Sequence, residues 1–230
     1  MTVSPHKPSR RTLLRWLSAS VAAGSLAALT GSSQRPTPAP DSLTIIRRSQ
    51  WGAAQPNLNA PHEHGVYDSV TNPEGWLVYD TPLSQVLNTV VVHHSALSLR
   101  DGPREIQRLH KQQKGFADIG YHFVIDDVGW IYEGRSIAVR GAHTGGHNTG
   151  TLGIVLLGNF ENTYPTDAQL KYLKLLARHL ADEYAITHLA GHRDFQPDET
   201  VCPGKNLEPL LPHIAAELGM EFGTGGYKGI

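Results

Sequence analysis

Two histidines stand together at the end of a β-branched run, Thr89-Val90-Val91-Val92-His93-His94. A third lies far downstream in Gly191-His192-Arg193. The only cysteine of the chain follows ten positions later, in Val201-Cys202-Pro203-Gly204. Imidazole nitrogens and a thiolate are a ligand set that zinc takes, and three protein ligands leave a fourth tetrahedral position for water. Zinc-bound water is a nucleophile at neutral pH because its pKa falls to about 7. His93, His192 and Cys202 therefore read as a candidate Zn2+ centre for hydrolysis. Singly, each has a plainer reading, since a strand-end histidine is commonly structural and a lone cysteine is commonly a buried apolar residue. The combination carries the inference.

Such residues need rigid elements behind them. The run from Thr89 predicts a central strand, because strands covered on both faces read as continuous β-branched stretches. Adjacent strand residues point to opposite faces, so only one of His93 and His94 ligates. A helix is predicted after Asp101-Gly102-Pro103, with Ile106, Leu109 and His110 at helical spacing. A strand is predicted over residues 119–125, followed by a turn at Asp126–Gly129 and a hairpin partner from Trp130 to Gly134. Leu152 to Gly158 is wholly apolar and reads as a second central strand. Thr166-Asp167-Ala168-Gln169 is a capping box that opens a helix with Leu173, Leu176 and Leu180 on one face. A last strand is predicted from Ile186 to His192 and a closing helix over residues 207–218. The sum is an α/β domain: one mixed central β-sheet with helices packed on both faces.

The chain has 230 residues and a formal net charge of −1. Balanced charge argues against general nucleic-acid binding, which needs a basic face. One cysteine excludes an internal disulfide framework. Residues 1–31 read as an address: Ser9-Arg10-Arg11-Thr12-Leu13-Leu14 precedes a moderately apolar stretch and resembles a twin-arginine export signal, with an ordinary secretory signal as the alternative. Ser18, Ser20, Gly24 and Ser25 make that stretch too polar for a permanent membrane anchor. Residues 32–42 read as a flexible linker, 43–218 as the catalytic domain and 219–230 as a glycine-rich, frayed tail. A monomer in the periplasm or outside the cell is expected. The excursion from Ala54 to Gln85 reads as an irregular loop whose His62, His64 and Trp76 are candidates to line a groove.

Hydrolysis also needs donors for an oxyanion. Tyr121, beside a glycine near a strand start, and Thr200, two positions before Cys202, are the candidates. Each also has a bland reading, as a rim tyrosine and a loop threonine. Asp194 is a candidate to fix a ring nitrogen of His192 from behind.

Read together, these stretches resemble the peptidoglycan recognition protein / type-2 N-acetylmuramoyl-L-alanine amidase family. The carrying motifs are Arg48-Ser49-Gln50-Trp51-Gly52-Ala53, Val91-Val92-His93-His94-Ser95-Ala96, Asp118-Ile119-Gly120-Tyr121-His122-Phe123 and Tyr132-Glu133-Gly134-Arg135. After them come Gly141-Ala142-His143-Thr144 through Asn148, Gly153-Ile154 through Gly158, Gly191-His192-Arg193-Asp194 and Cys202-Pro203-Gly204. The resemblance implies a zinc amidase that cuts between N-acetylmuramic acid and the L-alanine of the stem peptide. It places zinc on His93, His192 and Cys202, and makes Tyr121 and Thr200 catalytic. It also assigns His94, His143 and Asn148 to substrate binding, with peptidoglycan or a muropeptide as partner. Non-catalytic members typically lack the cysteine.

Two departures from the family pattern stand out. The loop from His192 to Cys202 resembles in length that of the cytoplasmic recycling amidases, but those carry aspartate where Cys202 stands and acidic residues where Val155 to Leu157 stand. Ser136-Ile137 replaces the Gly-Trp that many members carry after the Glu-Gly-Arg hairpin. Two other readings compete. One is a module that binds muropeptides without cutting them. The other is a serine hydrolase built on Ser95, which lacks the strand-turn-helix elbow such a nucleophile needs.

Overall fold

The computed structural model describes residue 39, residues 42–60 and residues 75–227. The export signal, nearly all of the linker, His62, His64 and the last three residues lie outside the described residues.

In chain order the strands are β1 (Ile45–Ile46), β2 (Thr89–His94), β3 (Phe123–Ile125), β4 (Ile131–Glu133), β5 (Thr151–Leu156), β6 (His188–Gly191) and β7 (Glu221–Phe222). The helices are α1 (Arg48–Trp51), α2 (Leu83–Val86), α3 (Pro103–Gln112), α4 (Asp167–Tyr184), α5 (His192–Phe195) and α6 (Leu211–Leu218). Among the described residues the seven strands form one sheet in the order β1-β4-β3-β5-β2-β6-β7. Only β3 and β4 pair antiparallel, as the hairpin; every other pairing is parallel. The mixed sheet with helices on both faces is the predicted fold.

β2 is central because all six of its residues are buried, as are all six of β5 beside it. Strand parity divides the sheet into two chemistries. Val90, Val92, Leu152, Ile154 and Leu156 face one way and pack against Leu173, Leu176 and Leu180 of α4 and Leu211 and Ile214 of α6. Val155 and Leu157 face the other way, with Val124, Ile119 and Ile106 of α3. His93, two residues from Val91 and opposite Val155, belongs to this second face. Burying such side chains supplies roughly 1.5–3 kcal/mol each.

Boundaries moved where backbone partners overrode pattern. The segment before β3 is not strand: residues 119–122 run beside β5 and are held by the His122 N–H on the Gly153 carbonyl, 2.9 Å. The last central strand stops at Gly191, and His192 opens a one-turn helix. The tail is not frayed through Tyr227. Glu221–Phe222 extends the sheet beside β6, Met220 is buried, and the Tyr227 hydroxyl donates to the Gly146 carbonyl at 3.2 Å. Glycine-rich composition hid this, because edge pairing uses backbone rather than side chains. No helix among the described residues is long and apolar enough to cross a membrane.

The capping box at Thr166 forms: its Oγ1 accepts the Gln169 N–H at 3.0 Å, while Gln169 Oε1 accepts the Thr166 N–H at 3.1 Å. Thr166→Ala should cost about 1 kcal/mol, and Leu176→Ala, fully buried on the same helix, about 2–5 kcal/mol. Urea denaturation of the two variants checks both the order and the sizes.

Candidate metal centre

Parallel pairing of β2 with β6 sets Val92 opposite Gly191. The residue after each is a histidine, His93 still on β2 and His192 at the start of α5. His93 and His192 therefore leave neighbouring strand ends side by side, with ring centroids 4.7 Å apart. Cys202 reaches them through a loop pinned at its base: the Arg193 N–H donates to the Cys202 carbonyl at 3.0 Å. The Arg193 guanidinium holds the Thr200 and Val201 carbonyls and pairs with Glu208. Gly204 then turns with φ +98°, where a Cβ would lie 2.6 Å from the Phe160 backbone, so only glycine fits.

Ligand atoms of His93, His192 and Cys202 all lie within 4.8 Å of one another. Cys202 Sγ is 3.6 Å from His93 Nδ1. A tetrahedral zinc with bonds of about 2.3 Å to sulfur and about 2.0–2.1 Å to nitrogen would set those two atoms about 3.6 Å apart. The donor set and its spacing fit that ion. His93 and Cys202 are buried and His192 is half-buried. Burial first, then the neighbouring histidines led by His192, holds His93 well below its ordinary pKa. Burial also lowers His192, against an opposing Gln196 hydrogen bond. Both rings are thus neutral at neutral pH, the form that binds metal. Burial pushes the Cys202 thiol up to about 12, partly offset by the His94 N–H that reaches Sγ at 3.4 Å. An ion bound here would displace the thiol proton.

Tyr121 stands with its ring 5.0 Å from that of His93 and 5.3 Å from that of His110. Its backbone is fixed by the Arg135 N–H, 2.8 Å from the Tyr121 carbonyl. That segment is braced by Asp118, which is buried, paired with Arg48 at 3.0 Å and hydrogen-bonded by Gln107 at 2.6 Å. Trp51 is also buried and donates Nε1–H to the Glu133 carbonyl at 2.8 Å. The Arg48–Trp51 motif thus holds the segment that carries Tyr121. Burial first, then Cys202, raises the Tyr121 phenol, so it keeps its proton and can donate. Thr200 Oγ1 accepts the Cys202 N–H at 3.1 Å, which leaves the hydroxyl hydrogen free to turn.

The residues expected to bind substrate have well-defined surroundings. His94 is 5 % exposed and faces the α4 side, where its Nδ1 accepts the Phe160 N–H at 3.1 Å. Asn148 is 2 % exposed, and its Oδ1 accepts the N–H groups of His143 (2.7 Å) and Thr144 (2.9 Å). His143 is 7 % exposed and lies behind His93. All three have partners within the protein; His143 and Asn148 meet theirs because the loop over residues 141–150 folds down onto β5, where the His143 ring lies against Gly153. Asp194 is not behind His192. It caps α5 by accepting the Gly191 N–H at 2.7 Å, and Gln196 Oε1 sits 2.7 Å from His192 Nε2. The His192–Gln196 spacing of one helical turn was the available signal, but it is visible only once α5 is known.

The family model for N-acetylmuramoyl-L-alanine amidase matches residues 83–205, more than half of the chain. A peptidoglycan-recognition protein SD of Drosophila simulans is 32% identical over 178 residues, covering 74% of this chain and 84% of that protein. The solved N-acetylmuramoyl-L-alanine amidase LysC from Clostridium intestinale URNW superposes with a TM-score of 0.57 at 30% identity, covering 78% of this chain and all of that one. A solved ectodomain complex of peptidoglycan recognition proteins LCa and LCx, with tracheal cytotoxin bound, gives 0.60 at 26% identity, covering 74% of this chain and 95% of that one. With the match spanning β2, β5, β6 and every residue of the candidate metal centre, this chain belongs to the N-acetylmuramoyl-L-alanine amidase family, and it is similar in sequence and fold to peptidoglycan recognition proteins.

Proposed function

We propose that the protein is a zinc-dependent N-acetylmuramoyl-L-alanine amidase that hydrolyses the amide between N-acetylmuramic acid and the L-alanine of peptidoglycan stem peptides. The observation that carries this is the convergence of His93, His192 and Cys202 within 4.8 Å. A zinc ion held by these three supplies an activated water and polarises the scissile carbonyl. The protein's own groups do the rest. Tyr121, kept protonated by burial, donates a hydrogen bond to the oxygen on which negative charge develops. Thr200 stiffens the approach to Cys202 and offers its hydroxyl hydrogen to the same region. Binding of tracheal cytotoxin by the LCa–LCx relatives supports a muropeptide as the ligand class here. The adjacent Arg10 and Arg11 support export by the twin-arginine route, which delivers the enzyme to a wall substrate already folded.

The similarity to recognition proteins makes binding without cleavage the competing outcome. Incubation with purified sacculi should release stem peptides whose N-terminus is L-alanine, read by mass spectrometry, and a chelator should stop it. Zinc-loaded protein that binds sacculi and releases nothing would leave recognition alone.

Cys202→Ala should lose bound zinc and turnover together, and zinc content equal to wild type would sink the metal assignment. Tyr121→Phe should keep zinc while turnover falls about 10²–10³-fold, the usual loss for one oxyanion donor. Because the ion displaces the raised Cys202 proton while both imidazoles are already neutral, zinc affinity should tighten about tenfold per unit rise in pH through the neutral range. Chelator competition at several pH values measures this, and a flat profile contradicts it. Replacing Arg10 and Arg11 with lysines should hold the precursor in the cytoplasm, and fractionation that finds unchanged export would refute the route.

A further inference from the structure

We infer that His143 is a positioning residue for the metal centre, whose Nδ1 accepts the Nε2–H of His93 and so keeps the Nδ1 lone pair of His93 turned toward Cys202. The inference rests on the metal reading above and goes beyond it by assigning a residue that is not itself a ligand.

His93 Nε2 lies 3.1 Å from His143 Nδ1, and the pair is buried. The other nitrogen of His93, Nδ1, faces Cys202 Sγ at 3.6 Å. A neutral imidazole carries one hydrogen, so the two ends of His93 are coupled. If His93 donates from Nε2, its Nδ1 is bare and can ligate. Were His143 instead to donate from its own Nδ1, the hydrogen of His93 would sit on Nδ1, aimed at the sulfur, and that nitrogen could hold no metal. A metal-bound histidine is usually fixed from behind by a carboxylate, a backbone carbonyl or water. Here a second imidazole holds that place.

The fold builds a slot for this ring. Gly153 of β5 lies opposite Val91, on the face that carries His93. A Cβ at Gly153 would come within 2.6 Å of the His143 ring, and one at Gly141 within 2.5 Å. Two glycines on two elements thus leave the space that the imidazole fills. Asn148 fixes the backbone on either side by accepting the His143 and Thr144 N–H groups. His143 Nε2 is buried outside normal hydrogen-bond geometry. The Thr151 backbone also bears on the ring, while His93 and the Thr144 hydroxyl, 2.9 Å away, both meet its Nδ1. One lone pair cannot serve two donors. With His93 donating, the Thr144 hydroxyl turns its hydrogen aside. With His93 Nε2 bare, the same hydroxyl oxygen can share the hydrogen that His143 Nδ1 then carries.

The test is zinc affinity by chelator competition on the full mature chain, with the absorption of the cobalt-substituted protein as a second readout. Wild type is measured first: failure to bind zinc would defeat the metal reading itself and is distinct from failure of this inference. His143→Leu removes the acceptor at similar bulk and should weaken zinc about 10–100-fold, with a shifted cobalt spectrum. His143→Asn places an amide oxygen where Nδ1 stands and should restore affinity and spectrum toward wild type. A His143→Leu protein that binds zinc as tightly as wild type overturns the inference, as does a His143→Asn protein that loses as much as His143→Leu. If the leucine variant fails to fold, nitrogen-15 NMR of the zinc-loaded wild type still decides. Hydrogen on Nε2 of both His93 and His143 is expected, and hydrogen on His143 Nδ1 overturns it.

Discussion

The register between β2 and β6 is the constraint on which the site depends. Val92 pairs with Gly191, so two parallel strands end together and each releases a histidine at the same level. A slip of one residue would turn His93 to the α4 face and bring His94 up in its place, because side chains alternate along a strand. The register is strongly specified, since Val90 and Val92 fill one core and Val91 faces the other. The hydrophobic pattern that folds the sheet therefore also aims the ligands. No separate device is needed to bring residues a hundred positions apart within bonding reach of one ion.

The two faces are coupled at this point through a single dipeptide. His93 looks into the metal centre. His94 looks into the core, where its ring accepts the Phe160 N–H, while its own N–H reaches the Cys202 sulfur. Phe160 in turn passes so close to Gly204 that no side chain fits there. The Cys202 loop is thus seated against the same residue that the His94 ring grips. Adjacent histidines that look redundant in the sequence do different work because the strand sends them to opposite sides.

What was legible in the sequence follows from this. Metal ligation restricts residue types so sharply that two strand-end histidines and a lone cysteine stood out, and parity already said that only one of His93 and His94 could ligate. The central strands, the capping box at Thr166 and the hairpin turn were also visible, because each rests on local composition. The internal partners of His143 and Asn148, and the place of Gln196, were not legible for one physical reason. Their roles depend on where a loop or a one-turn helix folds, and four residues of α5 are too few to show a period. The vacant face of Gly153, which decides where His143 sits, is the absence of a side chain and has no signature of its own. The docked tail escaped notice because its sheet pairing is made by backbone.

Electrostatics favours a thiolate as the third member of the candidate set. The centre lies among imidazoles that burial keeps neutral, with Lys114 and Arg193 near enough to bear on Cys202. A divalent cation brought into such surroundings with only neutral ligands would be poorly compensated, because buried charge is costly unless paired. With an ion bound, the Cys202 sulfur would give up its proton and lower the net charge of the loaded centre by one. The same burial that opposes an isolated thiolate there strengthens the attraction between that thiolate and a cation. Each form of the centre therefore avoids an unpaired charge: a neutral thiol beside neutral rings, or a thiolate bound to the ion. Tyr121, held protonated beside His93, adds a donor to the candidate centre without adding charge.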